Sequence, residues 1–399
     1  MIQSIGIEKT YKYLLIILAF LMPLSVSLAN TVVVIICLLW LFSGDYKAKL
    51  YQISNSRVML ASIIFFIIHI LGLIWTDNLA WGLHIAHKMW YFIGLFPILY
   101  TIVKKEHIRL YISSFLLAIS FTEIVSYLIW FELLDPFKNA SVENPTPFMS
   151  HISYNPILAF AIYLVLHQIS FNKKITNSMF VFYGFFAISM SVNMFITGGR
   201  AGQVAFFVIL SILLVQIFNK ERIKSIIVIL VVIPSIFFTA YQSSSLFQKR
   251  VDFAIEEIID YSDLKTTSVG VRINFALNSW EVIKNNPIIG VGTGDFPVEY
   301  SKVNSVNSPE APETTNPHNM YILVTMQLGL VGLVSMLSIF YYQIQFSRNT
   351  KDKFIKDVGF TLPIMFLVLM WSDSYLLGHF TSLLFVFFGA FLYKDFAKT

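Results

Sequence analysis

This chain contains a succession of apolar stretches, each long enough for a helix that crosses a bilayer, joined by short polar loops. Roughly 20 apolar residues in a helix cross a hydrocarbon core about 30 Å thick, and a helix bonds its own backbone groups. With 56% hydrophobic residues and a mean hydropathy of +0.70, the chain of 399 residues has more apolar surface than one water-soluble domain can bury. The sequence therefore predicts an all-α integral membrane protein.

About twelve transmembrane helices are predicted from these stretches. The first stretch, residues 13–43, is interrupted at Pro23 and Asn30, and we interpret it as a tight pair of helices. The other ten spans are predicted to begin near residues 58, 81, 108, 151, 178, 201, 223, 320, 354 and 375. The domain division that follows is nine spans in residues 1–240, one large loop in residues 241–317 and three spans in residues 318–399.

The positive charges indicate the orientation of the spans. If the chain crosses alternately, the loops and termini of one side hold 19 of the 28 Lys and Arg residues, and the short loops of the other side hold only Lys138 and Arg200. Basic residues accumulate on the cytoplasmic side of membrane proteins. Both termini are therefore expected in the cytoplasm and the large loop outside. The net charge of +5 then reflects topology rather than a nucleic-acid partner.

The large loop is predicted to be ordered. Residues 246–261 and 271–284 carry apolar residues at helical spacing, which predicts short amphipathic helices at the membrane surface. The glycine-rich residues 287–295 predict a turn, because no strand precedes them as one would in a dinucleotide-binding unit. Cys37 is the single cysteine of the chain and excludes an internal disulfide. No cleavable signal peptide is expected, since the first apolar stretch continues into a second span.

Three residues in or beside this loop are the main candidates for chemistry. Arg200 follows two glycines at the outer end of a span, Arg272 begins a loop helix, and His318 opens a span. Two guanidinium groups that converge would bind a diphosphate and stabilise charge on a departing phosphate. An imidazole can take a proton from an attacking hydroxyl, and Asn319 could orient it. No metal is expected, because no other histidine or carboxylate lies at metal-ligand spacing around His318.

Simpler roles for these residues stay open at this point. Arg200 could reach lipid phosphates, Arg272 could be a solvated surface charge, and His318 could cap its helix. Ionisable side chains are costly within a span unless they are paired, so we expect either a structural pair between Lys88 and Glu123 or a cavity lined by Lys88. Asp373, in the turn between the last two spans, is expected to orient a catalytic group or to cap a helix.

Several short segments, in this order, resemble the O-antigen ligase and polymerase superfamily. They are TGGRAG at 197–202, Arg272, PIIGVG at 287–292, HNMY at 318–321 and QLGLVG at 327–332. The resemblance covers essentially the whole chain. It implies a GT-C-like fold and an inverting, metal-independent glycosyltransferase that uses lipid-linked sugar donors and no cofactor or nucleotide. By the resemblance, the family's two arginines correspond to Arg200 and Arg272, and its histidine to His318.

Within the superfamily, the resemblance favours a ligase that transfers a glycan from undecaprenyl diphosphate to the lipid A-core oligosaccharide at the periplasmic face of the bacterial inner membrane. The expected catalytic residues are His318, Arg272 and Arg200. The substrate-binding residues expected are Arg200, Arg272, Asn319, Lys88 and Asp373.

Two other functions stay open. One is a polymerase of the same superfamily, although the Arg-x10-Gly pattern of some polymerases is absent here. The other is a flippase for lipid-linked sugars, which would be expected to show inverted repeats that this sequence lacks.

Overall fold

The computed structural model describes residues 2–138, 140–259 and 267–396, and the regular elements in those ranges are helices. They are α1 (Ile2–Leu21), α2 (Val26–Phe42), α3 (Tyr46–Ser54), α4 (Arg57–Leu71), α5 (Leu79–Lys88), α6 (Phe96–Ile102), α7 (Ile108–Trp130), α8 (His151–Phe171), α9 (Asn177–Ile196), α10 (Arg200–Ile217), α11 (Arg222–Ser243), α12 (Ser245–Ile259), α13 (Ser268–Asn285), α14 (Phe296–Asn307), α15 (Met320–Asn349), α16 (Lys353–Leu369) and α17 (His379–Leu392). A π-helical turn, Tyr91–Leu95, joins α5 to α6. The all-α prediction is confirmed.

Among the described residues, fewer helices than the twelve predicted are long and apolar enough to cross a membrane, and the count of twelve spans stays a prediction. Within the described ranges seven helical segments meet that condition, or up to eight if the bent pair α2 and α3 is one span. The apolar helices α4 and α17 have 15 and 14 residues. At about 1.5 Å per residue each is shorter than a hydrocarbon core of about 30 Å. The apolar stretches behind these two predictions therefore form helices, but shorter ones than the sequence suggested.

Two further helices lie where the sequence predicted no helix. Residues 45–57 lie between the first apolar stretch and the span predicted from residue 58, yet α3 forms there and packs against α4 and α6 with Ile53 buried. Lys49 on α3 places its ammonium 4.7 Å from the ring centroid of Trp40 and bonds the Trp40 carbonyl at 3.1 Å. Tertiary packing thus stabilises a helix that has no apolar stripe. Helix α14 forms in the polar loop for a similar reason, since it packs against α13 and α15.

The chain divides into two compact units. Unit 1 comprises residues 1–36 and 105–252, and unit 2 comprises residues 37–104 and 253–399. In unit 1, α8 is the central helix: it packs against α9 and α10, and residues 157–165 of α8 are all nearly inaccessible. A helix that is apolar on all faces is suited to that position. Helix α11, by contrast, packs mainly on α10 and leaves most of its apolar side chains exposed, as expected for a lipid-facing helix.

In unit 2, α15 packs against α4, α13, α14 and α16, and it is interrupted at Gly329. That residue has φ 61 and ψ −158, which breaks the helical path. The break frees the carbonyls of residues 326 and 327 and the N–H groups of residues 330 and 331. All four bond to the turn at residues 287–292, at 2.9 to 3.1 Å. The predicted glycine-rich turn is therefore confirmed as a turn, and it completes the hydrogen bonding of a broken helix.

The end of the same turn is fixed to the α4–α5 connection. The carboxylate of Asp295 accepts bonds from the Thr76 hydroxyl at 2.7 Å and from the backbone N–H groups of Asp77 and Asn78 at 2.9 and 2.8 Å. The Thr293 hydroxyl donates to the His69 carbonyl at 2.7 Å. The polar loop is thus anchored to unit 2 at both α15 and α4.

Replacing Gly329 by Ala tests this anchor. A Cβ at this position would stand 2.2 Å from the carbonyl carbon and oxygen of Ile288. The positive φ alone costs a non-glycine residue about 1 to 2 kcal/mol. We therefore expect Gly329→Ala to lower the thermal unfolding midpoint of the purified protein strongly. Gly184→Ala, where a Cβ meets nothing within 4 Å inside α9, is the matched control and should be neutral or slightly stabilising. Equal midpoints for the two variants would contradict the anchor.

Candidate functional site

The centre of the candidate site in unit 2 is a contact between the imidazole of His318 and the carboxylate of Asp373. His318 precedes α15 and Asp373 follows α16, and the packing of these two helices brings their ends together. Nδ1 of His318 lies 3.2 Å from Oδ1 of Asp373. With the proton on Nδ1 the ring donates to the carboxylate, and Nε2 keeps its lone pair. This is the arrangement of a general base held by a carboxylate.

Asn316 and Ser374 hold the two partners. Oδ1 of Asn316 accepts from the backbone N–H of His318 at 3.0 Å and from the hydroxyl of Ser374 at 2.8 Å, while Nδ2 of Asn316 donates to Asp373 at 3.3 Å. The backbone N–H of Ser374 donates to the same carboxylate at 2.7 Å. The His318 side chain is 36% exposed and that of Asp373 17%. A substrate can therefore reach the ring, whereas the carboxylate is shielded.

Helix α13 contributes Arg272 and Phe275 on one face, three residues apart. The Phe275 ring stacks on the His318 ring with centroids 6.2 Å apart and planes at 22°. The positive charge of Arg272 acts on Asp373. None of the ion pairs between described residues involves Arg272. Arg272 therefore lies within electrostatic range of Asp373 and is not part of an ion pair among the described residues.

Helix α14 supports α13 from behind. Phe275 packs edge-on against Tyr300 at 5.5 Å, and Nδ2 of Asn278 donates to Oδ1 of Asn304 at 3.1 Å. The Tyr300 hydroxyl donates to the same oxygen at 2.9 Å. Tyr300, Asn278 and Asn304 are all buried, so the position of α13 is set by satisfied polar contacts as well as by packing.

The electrostatics of the pair favour an ionised Asp373. Burial by itself would raise the pKa of this carboxyl group, but its hydrogen bond to His318 and the charge of that ring lower it. The Ser374 N–H and the charge of Arg272 lower it further, so the net pKa is below the ordinary value. Asp373 therefore remains an acceptor at neutral pH, which favours the tautomer of His318 with the proton on Nδ1.

The backbone at His318 is strained. Its φ is 51, in the left-handed region that residues other than glycine adopt at a cost of about 1 to 2 kcal/mol. Such strain persists only where neighbouring contacts determine the conformation, and it is found frequently at functional sites. Here the bonds from Asn316 supply those contacts.

The contacts of Asn319 differ from those expected. Its side chain accepts from the N–H of Ile322 at 3.1 Å and donates to the Trp371 carbonyl at 3.2 Å, so it caps α15 instead of touching the His318 ring. The orienting role falls to Asp373 and Asn316. Substrate binding by Asn319 stays a prediction.

Arg200 begins α10 in unit 1, after the turn at residues 197–200, which we call the Gly198 turn. Asn155 of α8 holds this turn: its Nδ2 donates to the carbonyls of Met194 and Gly199, each at 3.3 Å, and its Oδ1 accepts from the Thr197 hydroxyl at 2.7 Å. A Cβ on Gly199 would stand 2.7 Å from the amide carbon of Asn155. The glycine therefore permits the close approach of α8 to the turn.

The two ionisable residues expected within spans lie in different units. Glu123 of unit 1 is buried and accepts a hydrogen bond from the Ser189 hydroxyl. Lys88 of unit 2 is half-buried at the end of α5. On the same helix the His84 ring packs against Trp81, with ring centroids 4.8 Å apart and planes tilted by 31°. The pairing of Lys88 with Glu123, and a role for Lys88 in substrate binding, remain predictions.

Three residues of these sites were not predicted from the sequence: Asn316, Phe275 and Asn155. Phe275 was predictable, because a residue three positions after Arg272 lies on the same face of a helix. Asn316 stands two residues before His318 and could have been noted as a local turn residue. No local sequence pattern predicts the role of Asn155, because its contacts with residues 194–199 join segments about 40 residues apart.

Replacing Asp373 by Asn tests the electrostatics of the pair. The lowered pKa of Asp373 means that its carboxylate contributes stability above the ordinary value of 3.8, and this contribution is lost as pH falls through the lowered pKa. We expect Asp373→Asn to cost about 1 to 2 kcal/mol at pH 7 and the difference from the wild type to shrink towards pH 3. Thermal unfolding in detergent across this range measures it. The control is Asp77→Asn, at an exposed carboxylate. A difference independent of pH would contradict the assignment.

Comparison with known proteins links this site to a family. Residues 185–337 match the family model described as O-Antigen ligase. That segment includes Arg200, Arg272 and His318 but ends before Asp373. An uncharacterized protein of Haemophilus influenzae is 32% identical over 164 residues, which are 39% of this chain and 40% of that protein. This chain thus matches about two fifths of that relative's length.

These matches and the membrane-spanning helices describe a multi-pass bacterial membrane protein. The resemblance drawn from the sequence is confirmed by the family match. Over residues 185–337, the chain is similar to the O-antigen ligase family.

Proposed function

We propose that this protein is an O-antigen ligase that transfers a glycan from undecaprenyl diphosphate to the lipid A-core oligosaccharide. The observation that carries the proposal is the contact of His318 with Asp373 beside Arg272, because His318 and Arg272 fall inside the family segment. The family match supports the reaction class, and the site supplies a base and a cation that such a reaction needs.

In the proposed reaction, Nε2 of His318 takes the proton of an acceptor sugar hydroxyl. The oxygen forms a bond to the anomeric carbon of the donor sugar from the face opposite the diphosphate. The bond from that carbon to the diphosphate oxygen breaks, and the bonding electron pair leaves with undecaprenyl diphosphate. The configuration at the anomeric carbon is inverted. Asp373 keeps the ring in the required tautomer and stabilises the imidazolium that forms.

Arg272 has the role of stabilising the leaving diphosphate. A guanidinium offers a planar fork of donors that matches phosphate oxygens, and it stays charged at any working pH. Charge building up on the departing oxygen then meets a cation that is already in place. Arg200 is proposed as the second guanidinium for the same diphosphate, as the sequence predicts. In this proposal the arginines supply the charge stabilisation, and the reaction requires no metal or nucleotide.

A cavity in unit 1 supports a lipid-linked donor. Its volume is about 930 Å³, and its lining is mainly apolar, with Val192, Phe206, Leu210 and Ile236 among the lining residues. Polyprenyl chains are apolar, and burying them in such a cavity is favourable. We propose that part of the donor's isoprenoid chain lies there. In this proposal the protein lies in the inner membrane with both termini in the cytoplasm. Its active site, in a GT-C-like fold, faces the periplasm.

Replacing Arg272 by Ala tests the proposed mechanism. We expect reconstituted transfer to fall by at least about 100-fold, the effect of removing one preorganised donor to developing charge. The amount of folded protein should not change, because none of the ion pairs between described residues uses Arg272. Lys284→Ala is the matched control, since Lys284 is an exposed cation on the same helix and pairs with Glu281. Full activity of Arg272→Ala would remove this residue from the mechanism.

The lipopolysaccharide of a deletion strain separates the ligase from the other functions. Loss of a ligase leaves long glycan attached to undecaprenyl diphosphate on the periplasmic side. Loss of a polymerase leaves single repeat units attached to the core, and loss of a flippase leaves the lipid-linked sugar on the cytoplasmic side. Either of the last two profiles would contradict the ligase proposal.

A further inference from the structure

Unit 1 contains a second cation beside the Gly198 turn. Arg250, on α12, places its Nη2 3.7 Å from the position that a Cβ on Gly198 would occupy. Its charge also acts on the ring of His151, at the start of α8. None of the ion pairs between described residues involves Arg250, and the nearby Asp252 accepts a hydrogen bond from the Tyr241 hydroxyl at 2.6 Å. The exposed guanidinium thus lies over the turn with donors available.

Asn144 fixes the protonation of His151. Its Oδ1 accepts from the backbone N–H of Gly198 at 3.1 Å, so the amide group that faces His151 is the donor Nδ2. Nδ2 lies 2.8 Å from Nδ1 of His151. Because an amide NH₂ can only donate, Nδ1 accepts and the neutral ring carries its proton on Nε2. His151 therefore presents an N–H donor, in contrast to His318, whose pairing with Asp373 leaves a lone pair on Nε2.

Two buried side chains, those of Asn155 and Gln203, also hold the Gly198 turn in place. From its buried side, Asn155 already bonds the Gly199 carbonyl and the Thr197 hydroxyl. Gln203 donates to the carbonyls of Met194 and Thr197, each at 3.1 Å. The other groups at this turn are the exposed guanidinium of Arg250, the ring of His151 against Asn144, and Arg200, the next residue in the chain. Cations and N–H donors on one side of a glycine turn are suited to an anion.

We propose that Arg250 and the Nε2–H of His151 bind a phosphate group of the polyprenyl diphosphate on the exposed side of the Gly198 turn, next to Arg200. Asn144 is a positioning residue, since it sets the tautomer of His151 and holds the Gly198 N–H. This inference rests on the proposed function and adds two ligands to it. It assigns the diphosphate a set of donors within unit 1 itself.

The test is equilibrium binding to the full-length protein in nanodiscs of phosphatidylcholine, with undecaprenyl diphosphate and undecaprenol as the two probes. Arg250→Ala should raise the Kd for undecaprenyl diphosphate about tenfold and leave that for undecaprenol unchanged. Arg250→Lys should recover part of the affinity, because a point charge is kept while the planar fork of donors is lost. Lys138→Ala, which removes an exposed cation from the loop that carries Asn144, should bind as the wild type does.

The positioning role has its own variants. His151→Phe should weaken binding of the diphosphate alone, and Asn144→Ala should do so to a smaller extent, with unfolding midpoints close to the wild type. If Arg250→Ala fails to fold, Arg250→Gln and Arg250→Lys replace it. The proposal then requires that the Arg250→Gln variant binds undecaprenyl diphosphate more weakly than the Arg250→Lys variant.

Two results would overturn the inference and leave the proposed function intact. One is an unchanged Kd in Arg250→Ala while Arg272→Ala loses transfer. The other is displacement of undecaprenyl diphosphate by phosphatidylglycerol at equal concentration, which would identify a general site for anionic headgroups. Full transfer by Arg272→Ala would instead contradict the proposed mechanism. The two failures are therefore distinguishable.

Discussion

The turn at residues 287–292 bonds to α15 at the point where Gly329 interrupts the helix. A backbone group left unpaired inside a membrane protein costs several kcal/mol, so a broken helix persists only where another segment takes its hydrogen bonds. This segment comes from the polar loop, with α13 before it and α14 after it. These backbone hydrogen bonds therefore hold the polar loop in unit 2. This loop carries Arg272 and Phe275 and leads to His318.

Given that anchor, the chemistry of the site depends on a few side chains with different environments. Asp373 is shielded and ionised, while the His318 ring beside it is accessible and held in a strained backbone conformation. In unit 1, Asn144 gives His151 the opposite tautomer and makes it a donor. One histidine is thus suited to accept a proton from a hydroxyl and the other to bind an anion.

The sequence predicted the helical class, the glycine-rich turn and the helices of the polar loop, because apolar periodicity and turn residues are local signals. Span length was less predictable: α4 ends at Leu71, before the end of its apolar stretch, and α17 begins at His379, after the predicted start near residue 375. Helix α3 has a basic, weakly apolar sequence and forms through its packing on α4 and α6. Among site residues, Arg272 and His318 had local signals, whereas the partners Asn144 and Asn155 act over 40 or more residues and had none.

The most direct test of the central claim, that the His318 imidazole acts as the base, is chemical rescue in reconstituted transfer. His318→Gly removes the ring and suits the positive φ at this position. We predict that this variant is inactive and that added imidazole restores transfer in proportion to its concentration, whereas Arg272→Ala is not restored. Transfer by His318→Gly without imidazole, or no response to imidazole in folded protein, would contradict it.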